Sequence, residues 1–241
     1  MSEVFIIMFC AGGLYLLQKI FFFFSEVART ETEMRYYQWR IPGWAVYIIG
    51  LFPWLYIFFY FDKILILGWM ELGGLPAMIL GLVNSIKGYK EEKKEEAKEE
   101  EEEKKRKKLW GVFGWEDILV IIAALVGVGF SIDYYGSLNS LAQGLQLGAV
   151  IGFLTGTYLL AKKWIGGYLF YALMNATTGW LMYIKIPINP NYEMLFYQQI
   201  ASFILVMGSF LVRWHRQKQS KKAKQENLAL DEQRYAKPAT S

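Results

Sequence analysis

Cysteine and histidine are nearly absent from this chain of 241 residues, which contains one of each, Cys10 and His215. No disulfide can form within the chain, and a metal site built from several imidazoles is excluded. A catalytic triad would have to use His215, which stands in a basic stretch near the C-terminal end. We therefore expect no metal, no cofactor and no enzymatic activity.

Charge is missing from long stretches of the chain. Its 22 acidic and 26 basic residues gather in a few blocks, and 54% of all residues are apolar. A soluble domain is about 45 to 50% apolar, so the composition predicts an all-α integral membrane protein that lies in a lipid bilayer. Membrane-orientation rules account for the lysines and arginines, and the net charge of +4 therefore does not indicate a nucleic-acid partner.

Seven apolar segments are predicted to cross the membrane, which takes about 20 helical residues. The first is expected to be a retained span, because Ser2 and Glu3 stand where a signal peptide carries lysines. Lys19, near its end, is expected to reach the interface. We also expect a polar loop over 25–40, a helical charged spacer over 87–108 and a disordered tail over 215–241. The predicted spans are 4–24, 44–61, 64–86, 115–132, 138–161, 164–183 and 192–214.

The basic residues predict the orientation of these spans. With seven spans, alternate connections share a side, and one such set holds 23 of the chain's 26 lysines and arginines. By the positive-inside rule this set is cytoplasmic. The N-terminus is therefore predicted outside and the C-terminus in the cytoplasm.

An internal repeat is predicted from two pairs of similar short motifs. The WLY motif at Trp54 corresponds to WLMY at Trp180, and WME at Trp69 corresponds to YQQ at Tyr197, at separations of 126 to 128 residues. Each repeat is a triplet of helices, and one connecting helix between the triplets makes them parallel. The result is a three-plus-one-plus-three, SWEET-like arrangement. Binding sites are expected between the two repeats. The predicted parts are a first triplet over 1–86, the charged spacer over 87–109, the connecting helix over 110–137, a second triplet over 138–215 and a polar tail over 216–241.

One face of the sixth span carries hydrogen-bonding side chains. Tyr168, Tyr171, Asn175 and Thr178 are three, four and three residues apart, which places them on one stripe of a helix. Lipid offers such a face no hydrogen-bond partner, so it must point into protein or a wet cavity. Two interpretations stay open: contacts between helices, or a ligand pocket.

The fifth span has two faces. Gln143, Gln146 and Thr157 share one stripe, and glycines at 144, 148, 152 and 156 repeat every four residues on roughly the opposite side. The glycines predict close approach of a neighbouring helix. The glutamines would bond either a neighbouring helix or a ligand.

Glu71 stands inside the third apolar span, roughly 12 Å beyond the turn at Lys63. An acid at that depth is a functional candidate by default. The alternative is that Glu71 is protonated, or lies close enough to the interface to meet water.

The residues from Thr157 to Lys163, TYLLAKK, followed by the aromatic pair, Asn175 and the turn at Trp180, resemble the PnuC-type nicotinamide riboside transporters of bacteria. The resemblance covers about 44–216 and is clearest over the last three spans. It implies seven helices in the arrangement above and a homotrimer in the inner membrane. It also implies uptake of a vitamin precursor by facilitated diffusion, with a cytoplasmic kinase that traps the substrate.

Two positions depart from that family. Tyr168 and Tyr171 replace two tryptophans before Asn175, and Glu71 stands where the family typically has glutamine. Both positions are substrate-facing by the resemblance, so thiamine, riboflavin and deoxynucleosides remain alternative substrates. A remoter alternative is a scaffold or receptor that binds a soluble partner through the charged spacer.

Our hypothesis is that a flat aromatic ligand with a sugar or alcohol arm binds between the triplets. Aromatic faces attract a fixed ring charge by about 0.5 to 2 kcal/mol each, and an ionised Glu71 would add to this. The expected stacking residues are Tyr168, Tyr171 and Trp69, and the expected hydrogen-bonding residues are Gln143, Gln146, Asn175, Gln198 and Gln199.

Overall fold

The computed structural model describes residues 3–29, 32–61, 65–96 and 140–236, and the regular structure in these ranges is entirely helical. A π-helical stretch, Ile57–Phe61, continues the second helix. The predicted fourth span, 115–132, lies outside the described residues. The six α-helices are α1 (Glu3–Ala28), α2 (Glu33–Tyr56), α3 (Leu65–Glu96), α4 (Ser140–Ala161), α5 (Gly166–Lys185) and α6 (Tyr192–Ala236).

Five of these helices are long and apolar enough to cross a membrane: α1, α2, α3, α4 and α6. Helix α5, the predicted sixth span, is not among them, because tyrosines, threonines and Asn175 lower its average hydropathy. These five helices are consistent with the predicted helical, multi-pass membrane protein. The count of seven spans, the repeat and the sides of the termini remain predictions.

The predicted polar loop over 25–40 is wrong. Helix α1 continues to Ala28 and α2 begins at Glu33, so only a short connection separates them. Thr32 caps α2 by accepting a hydrogen bond from the backbone N–H of Arg35 at 3.1 Å. The polar residues of this region therefore lie on helices, and several of them face the interior of the bundle.

Two helices continue beyond their apolar spans. Helix α3 runs on to Glu96, which confirms a helical spacer up to that residue; the remainder of the spacer lies outside the described residues. Helix α6 runs on to Ala236, so the predicted disorder of the tail is wrong over 215–236. Lysine, glutamine, alanine and leucine dominate this stretch and favour helix, and a helix already nucleated in the bundle extends with one bond per residue.

The helices pack in a closed ring. Each of the six contacts the next one along the chain, and α6 returns to contact α1. Within the first three helices the contacts join α1 to α2 and α2 to α3, and within the last three they join α4 to α5 and α5 to α6. The two groups of three, called here the two halves, meet where α3 contacts α4 and where α1 contacts α6.

The glycine face of α4 packs against α5 at Gly148, Gly152 and Gly156, as the four-residue spacing predicts, whereas a Cβ on Gly144 would have no described atom within 4 Å. A Cβ atom on Gly152 would stand 2.6 Å from the backbone nitrogen of Met174 and 2.6 Å from the carbonyl oxygen of Phe170. A Cβ on Gly156 would meet the ring of Tyr171 at 2.5 Å. The two backbones are therefore as close as they can be, and any larger residue at 152 would separate them.

Candidate functional site

A buried stripe on α1 builds one wall of the bundle interior. Its residues follow at spacings of three and four, so they share one helix face, and each is at most 5% exposed. The polar members lie in two places, one in mid-bundle and one near the C-terminal end of the helix. The stripe consists of Met8, Ala11, Tyr15, Lys19, Phe22 and Glu26.

The mid-bundle cluster, called here the central layer, is formed by Tyr15, Lys19, Tyr47, Glu71 and Tyr171. Glu71 is 2% exposed, and its carboxylate accepts a hydrogen bond of 2.5 Å from the hydroxyl of Tyr15. The ring of Tyr15 packs edge-on against Tyr47 with centroids 5.0 Å apart, and Tyr47 meets Tyr171 edge-on at 6.2 Å. The central layer thus joins α1, α2, α3 and α5.

Lys19 lies inside the central layer instead of reaching the interface, so that expectation is wrong. Its side chain is 1% exposed, and Nζ stands 3.9 Å from the ring centroid of Tyr171 and 5.1 Å from that of Tyr47. Nζ forms no hydrogen bond with any described residue. The ammonium therefore packs against two aromatic faces, with Glu71 as the acidic group of the same layer.

A second cluster, called here the end network, joins the two halves near the C-terminal end of α1. Glu26 accepts hydrogen bonds at the same oxygen from Tyr168 at 2.6 Å and from Arg213 at 3.2 Å. Arg40 donates to the hydroxyl of Tyr168 at 3.0 Å and to the carbonyl of Leu160 at 3.4 Å. The four charged or phenolic side chains are at most 3% exposed, so their hydrogen bonds are protected from water and strong.

The turn between α4 and α5 is tied to the end network. Lys163 has a φ of 59° at a position after a helix that glycine usually takes, and the N–H of Trp164 bonds back to the carbonyl of Leu159 at 2.7 Å. Arg213 donates to the carbonyl of Lys163, whose own Nζ donates to the hydroxyl of Tyr37. Burial lowers the pKa of Lys163 to about 8, and nearby arginine charge acts in the same direction.

The predicted stripe of α5 is confirmed as a buried face. Tyr168, Tyr171, Asn175 and Thr178 are all at most 8% exposed. They do not act together, however: Tyr168 belongs to the end network, whereas Tyr171 lies in the central layer and bonds Thr157 at 3.0 Å. Asn175 donates to the carbonyl of Tyr171 in its own helix at 2.8 Å.

Of the four glutamines predicted to bind a ligand, three have side chains that the structure describes. Gln146, Gln198 and Gln199 are buried, and Gln198 receives a bond of 3.0 Å from Gln199 while donating to Ser202 at 2.9 Å. The side chain of Gln143 lies outside those that the structure describes. All three buried amides remain candidates for binding.

Trp69 does not join the central layer. It is 36% exposed and packs edge-on against Phe59 with centroids 5.7 Å apart. Trp69 and Glu71 are two residues apart, or about 200° around a helix, so they cannot face the same interior. Trp69 is therefore not positioned to stack on a ligand beside Glu71.

Several buried polar atoms have no hydrogen-bond partner among the described residues. Such atoms are rare in folded proteins, and each calls for a water, an ion or a ligand. They come from both halves of the bundle. The side chains with such an atom include Gln18, Lys19, Trp44, Tyr47, Trp54, Gln146 and Gln199.

A groove of about 500 Å³ lies between α5 and α6, away from the end network. Trp180 and Tyr183 line it from α5, and Phe196 and Phe203 line it from α6. Asn175 is the only amide among the described residues that line it. Asn175, which is 2% exposed, therefore borders an apolar, aromatic groove between α5 and α6.

No protein-family model, characterised protein or solved structure matches this chain. The resemblance to nicotinamide riboside transporters therefore remains a prediction. Within the described residues no group of three histidine, cysteine or acidic side chains could hold a metal ion.

Sequence reasoning missed Glu26, Arg40 and Arg213 because it assigned them to a loop and to the end of a span. A usable signal was present for Arg40. Tyr36, Arg40, Trp44 and Tyr47 continue a spacing of three and four through the supposed loop and are all buried. Extending a helical stripe across charged residues would have placed Arg40 on the buried face of α2.

Proposed function

We propose that this protein is a membrane transporter that carries a small, flat aromatic solute between the two halves of its bundle. Nicotinamide riboside is the first candidate that the resemblance supplies, with thiamine, riboflavin or a deoxynucleoside as alternatives. The observation that carries the proposal is the set of buried polar atoms, contributed by both halves, that have no hydrogen-bond partner among the described residues. In a protein that only spans a membrane, such atoms would be satisfied within the bundle.

The pattern of helix contacts supports a two-half carrier. The first helix of each half contacts the last helix of the other, since α1 meets α6 and α4 meets α3. A parallel repeat with an axis along the membrane normal would produce this pairing, and sites in such proteins lie between the repeats. Tyr47 and Tyr171 meet between the middle helices of the two halves.

The end network would act as a gate. It links α1 to α6 through Glu26 and Arg213 and α2 to α5 through Arg40 and Tyr168, so the halves cannot separate at this end while these bonds persist. By the positive-inside rule we propose that this end faces the cytoplasm. Release of solute there would require the network to open.

We further propose facilitated diffusion by a homotrimer in a bacterial inner membrane, as the resemblance implies. The sequence contains no glycine-rich loop for nucleotide phosphates and no series of intramembrane acids for an ion relay. Native mass spectrometry of the purified protein measures the oligomer, and a monomer would refute the trimer.

Uptake into proteoliposomes tests the proposal. Labelled nicotinamide riboside, thiamine, riboflavin and thymidine are supplied separately, each with an excess of unlabelled solute as competitor. We expect saturable uptake of one of them, and a loss of about tenfold or more with Glu71→Gln, because a buried carboxyl group that bonds Tyr15 in mid-bundle is removed. Glu91→Gln, an exposed site on the extension of α3, is the matched control. Empty-liposome rates for all four solutes would refute the proposal.

The scaffold alternative rests on one observation. Helices α3 and α6 carry charged sequence beyond their apolar spans, to Glu96 and Ala236. Deletion of residues 91–105 separates the two functions. Uptake is expected to survive this deletion, whereas capture of a soluble partner through the spacer would not.

A further inference from the structure

We propose that Arg216 binds the phosphate of an anionic phospholipid, in the leaflet of the membrane that borders the end network. Arg216 lies on α6, three residues beyond Arg213. The proposed orientation makes this leaflet the cytoplasmic one. The inference goes beyond the transport proposal and does not depend on it, because lipid binding is measured without any solute.

Exposed aromatic rings mark where the bundle meets the two surfaces of the membrane. Tryptophan and tyrosine are enriched at both membrane–water interfaces. Three pairs of such rings are 16 or 17 residues apart, along α2, along α6 and from the turn before α5 into that helix, and each ring is at least 39% exposed. This spacing corresponds to about 24 to 26 Å, close to the hydrocarbon thickness of about 30 Å. The pairs are Trp39 and Tyr56, Trp164 and Trp180, and Tyr197 and Trp214.

The end network lies at one of these two surfaces. Trp39 directly precedes Arg40, and Trp214 directly follows Arg213. Neighbouring residues on a helix point about 100° apart, so each arginine faces the interior while its tryptophan faces the lipid. Trp164 follows the turn residue whose carbonyl accepts from Arg213. The three tryptophans therefore place the boundary of the apolar core at the level of the end network.

Arg216 lies just outside this boundary. It is about 4.5 Å further along the axis of α6 than Arg213 and points to nearly the same side. The headgroup layer is about 5 to 8 Å thick on each side of a bilayer, so Arg216 falls within it. The Nη1 atom of Arg216 is buried and has no hydrogen-bond partner among the described residues. Because burying a charged donor without an acceptor is unfavourable, this atom calls for an acceptor from outside the bundle.

The acids at the adjoining ends of α1 and α2 are already bonded to other cations. Glu26 accepts from Arg213 at 3.2 Å, and Glu33 accepts from Arg29 at 2.6 Å. On α6 itself, residues 213–224 include six lysines and arginines and no acid. The positive charge at this level therefore exceeds the negative charge that these three helices supply.

A phospholipid phosphate fits both the charge and the level of Arg216. A guanidinium binds phosphate through two parallel N–H···O bonds. Clusters of four to eight basic residues directly beyond a membrane span are typical of sites for anionic lipids. A zwitterionic lipid carries a cation beside its phosphate and would gain less from this surrounding.

The test measures how lipids stabilise the full chain in a neutral detergent. Phosphatidylglycerol, phosphatidylcholine and soluble glycerol phosphate are added in separate titrations, and the midpoint of thermal unfolding is recorded. A ligand that binds only the folded protein raises this midpoint with concentration, which gives an apparent dissociation constant. We expect a saturable rise with phosphatidylglycerol and a much smaller one with the other two. Arg216→Gln should weaken the binding of phosphatidylglycerol about fivefold, the contribution of one basic residue at a membrane surface.

Matched variants separate a site from a diffuse attraction. Lys218→Gln removes the same charge from an exposed position two residues further along α6, and Lys185→Gln removes a charge from the last turn of α5 at the other end of the bundle. Both should leave the affinity for phosphatidylglycerol nearly unchanged. Without lipid, Arg216→Gln should not lower the midpoint, because Nη1 loses no partner. Arg216→Met replaces it if the glutamine variant does not fold.

A loss of phosphatidylglycerol affinity confined to the Arg216 variants supports the site. Equal losses in Arg216→Gln and Lys218→Gln would indicate attraction to the whole basic stretch and would overturn the inference. An equal response to phosphatidylcholine, an equal response to glycerol phosphate, or no response to phosphatidylglycerol would also overturn it. These outcomes leave the transport proposal to its own uptake assay, so the two can fail separately.

Discussion

Replacing Glu26 by glutamine is expected to destabilise the protein strongly. The Glu26 carboxylate is 1% exposed and accepts from both Tyr168 and Arg213, while Arg40 is bonded to the same tyrosine hydroxyl. Without the carboxylate, two buried guanidinium groups face each other across Tyr168 with no negative partner in the end network. Removing one member of a buried ion pair costs about 3 to 5 kcal/mol, because the remaining charge stays buried.

Thermal unfolding in detergent, followed by tryptophan fluorescence, measures this loss. For a chain of this size each kcal/mol lowers the midpoint by about 2 to 4 °C, so we expect a decrease of about 6 to 20 °C. The matched control is Glu33→Gln, which breaks the pair of Arg29 and Glu33 at 2.6 Å with side chains 14% and 32% exposed. That pair is worth about 0.3 to 0.5 kcal/mol and should shift the midpoint by less than about 2 °C.

A double-mutant cycle identifies the partner. Adding Arg213→Gln to Glu26→Gln removes one of the stranded charges, so the double variant should be more stable than the sum of the single changes predicts. We expect a coupling of about 0.5 to 3 kcal/mol. A midpoint shift for Glu26→Gln no larger than that of the control, or a cycle without coupling, would show that the end network does not hold the halves together.

Three further changes test local features by the same unfolding assay. Gly152→Ala should cost about 1 to 3 kcal/mol because its Cβ meets the α5 backbone, whereas Gly144→Ala, with nothing within 4 Å of its Cβ, should be neutral or stabilising by up to about 1 kcal/mol. Thr32→Ala should cost about 1 kcal/mol through the lost cap on Arg35, and Thr32→Ser should restore it. Because the pKa of Lys163 is lowered from 10.5 to about 8, the unfolded chain binds more protons than the folded one between those values, and stability should rise with pH across this window. Lys163→Gln should lack that part of the rise.

Most of what could be predicted from the sequence came from the spacing of residues within single helices. The buried stripe of α5 and the glycine face of α4 depend only on spacings of three and four residues within one helix. The stripe is confirmed, and the glycine face is confirmed at Gly148, Gly152 and Gly156 but not at Gly144. The same rule, applied to Trp69 and Glu71, would have separated them, since two residues on a helix differ by about 200°. That part of the predicted site was within reach of the sequence.

The charged contacts could not be predicted in this way. A prediction based on hydropathy ends a membrane span at charged residues such as Glu26, Arg40 and Arg213, because an unpaired charge is excluded from lipid. Their burial depends on partners 128 and 187 residues apart in the chain, and no local pattern records such a pairing. Lys19 was misplaced for the same reason, since the rings that hold it belong to α2 and α5.

Helix α5 is held differently on its two sides, and this difference determines how the bundle can deform. Against α4 the contact is backbone on backbone at Gly152, so sliding one helix along the other would bring main-chain atoms into collision, and the two move as one body. Against α1 and α2 the contacts are made by side chains: Tyr168 bonds Glu26 and the ring of Tyr171 meets that of Tyr47. The long side chains of Lys19 and Arg40 reach across the same boundary. These side chains have several rotatable bonds and can take up a displacement of a few ångströms without any change in the helices themselves. The boundary between α5 and the first half can therefore adjust more easily than the boundary between α5 and α4.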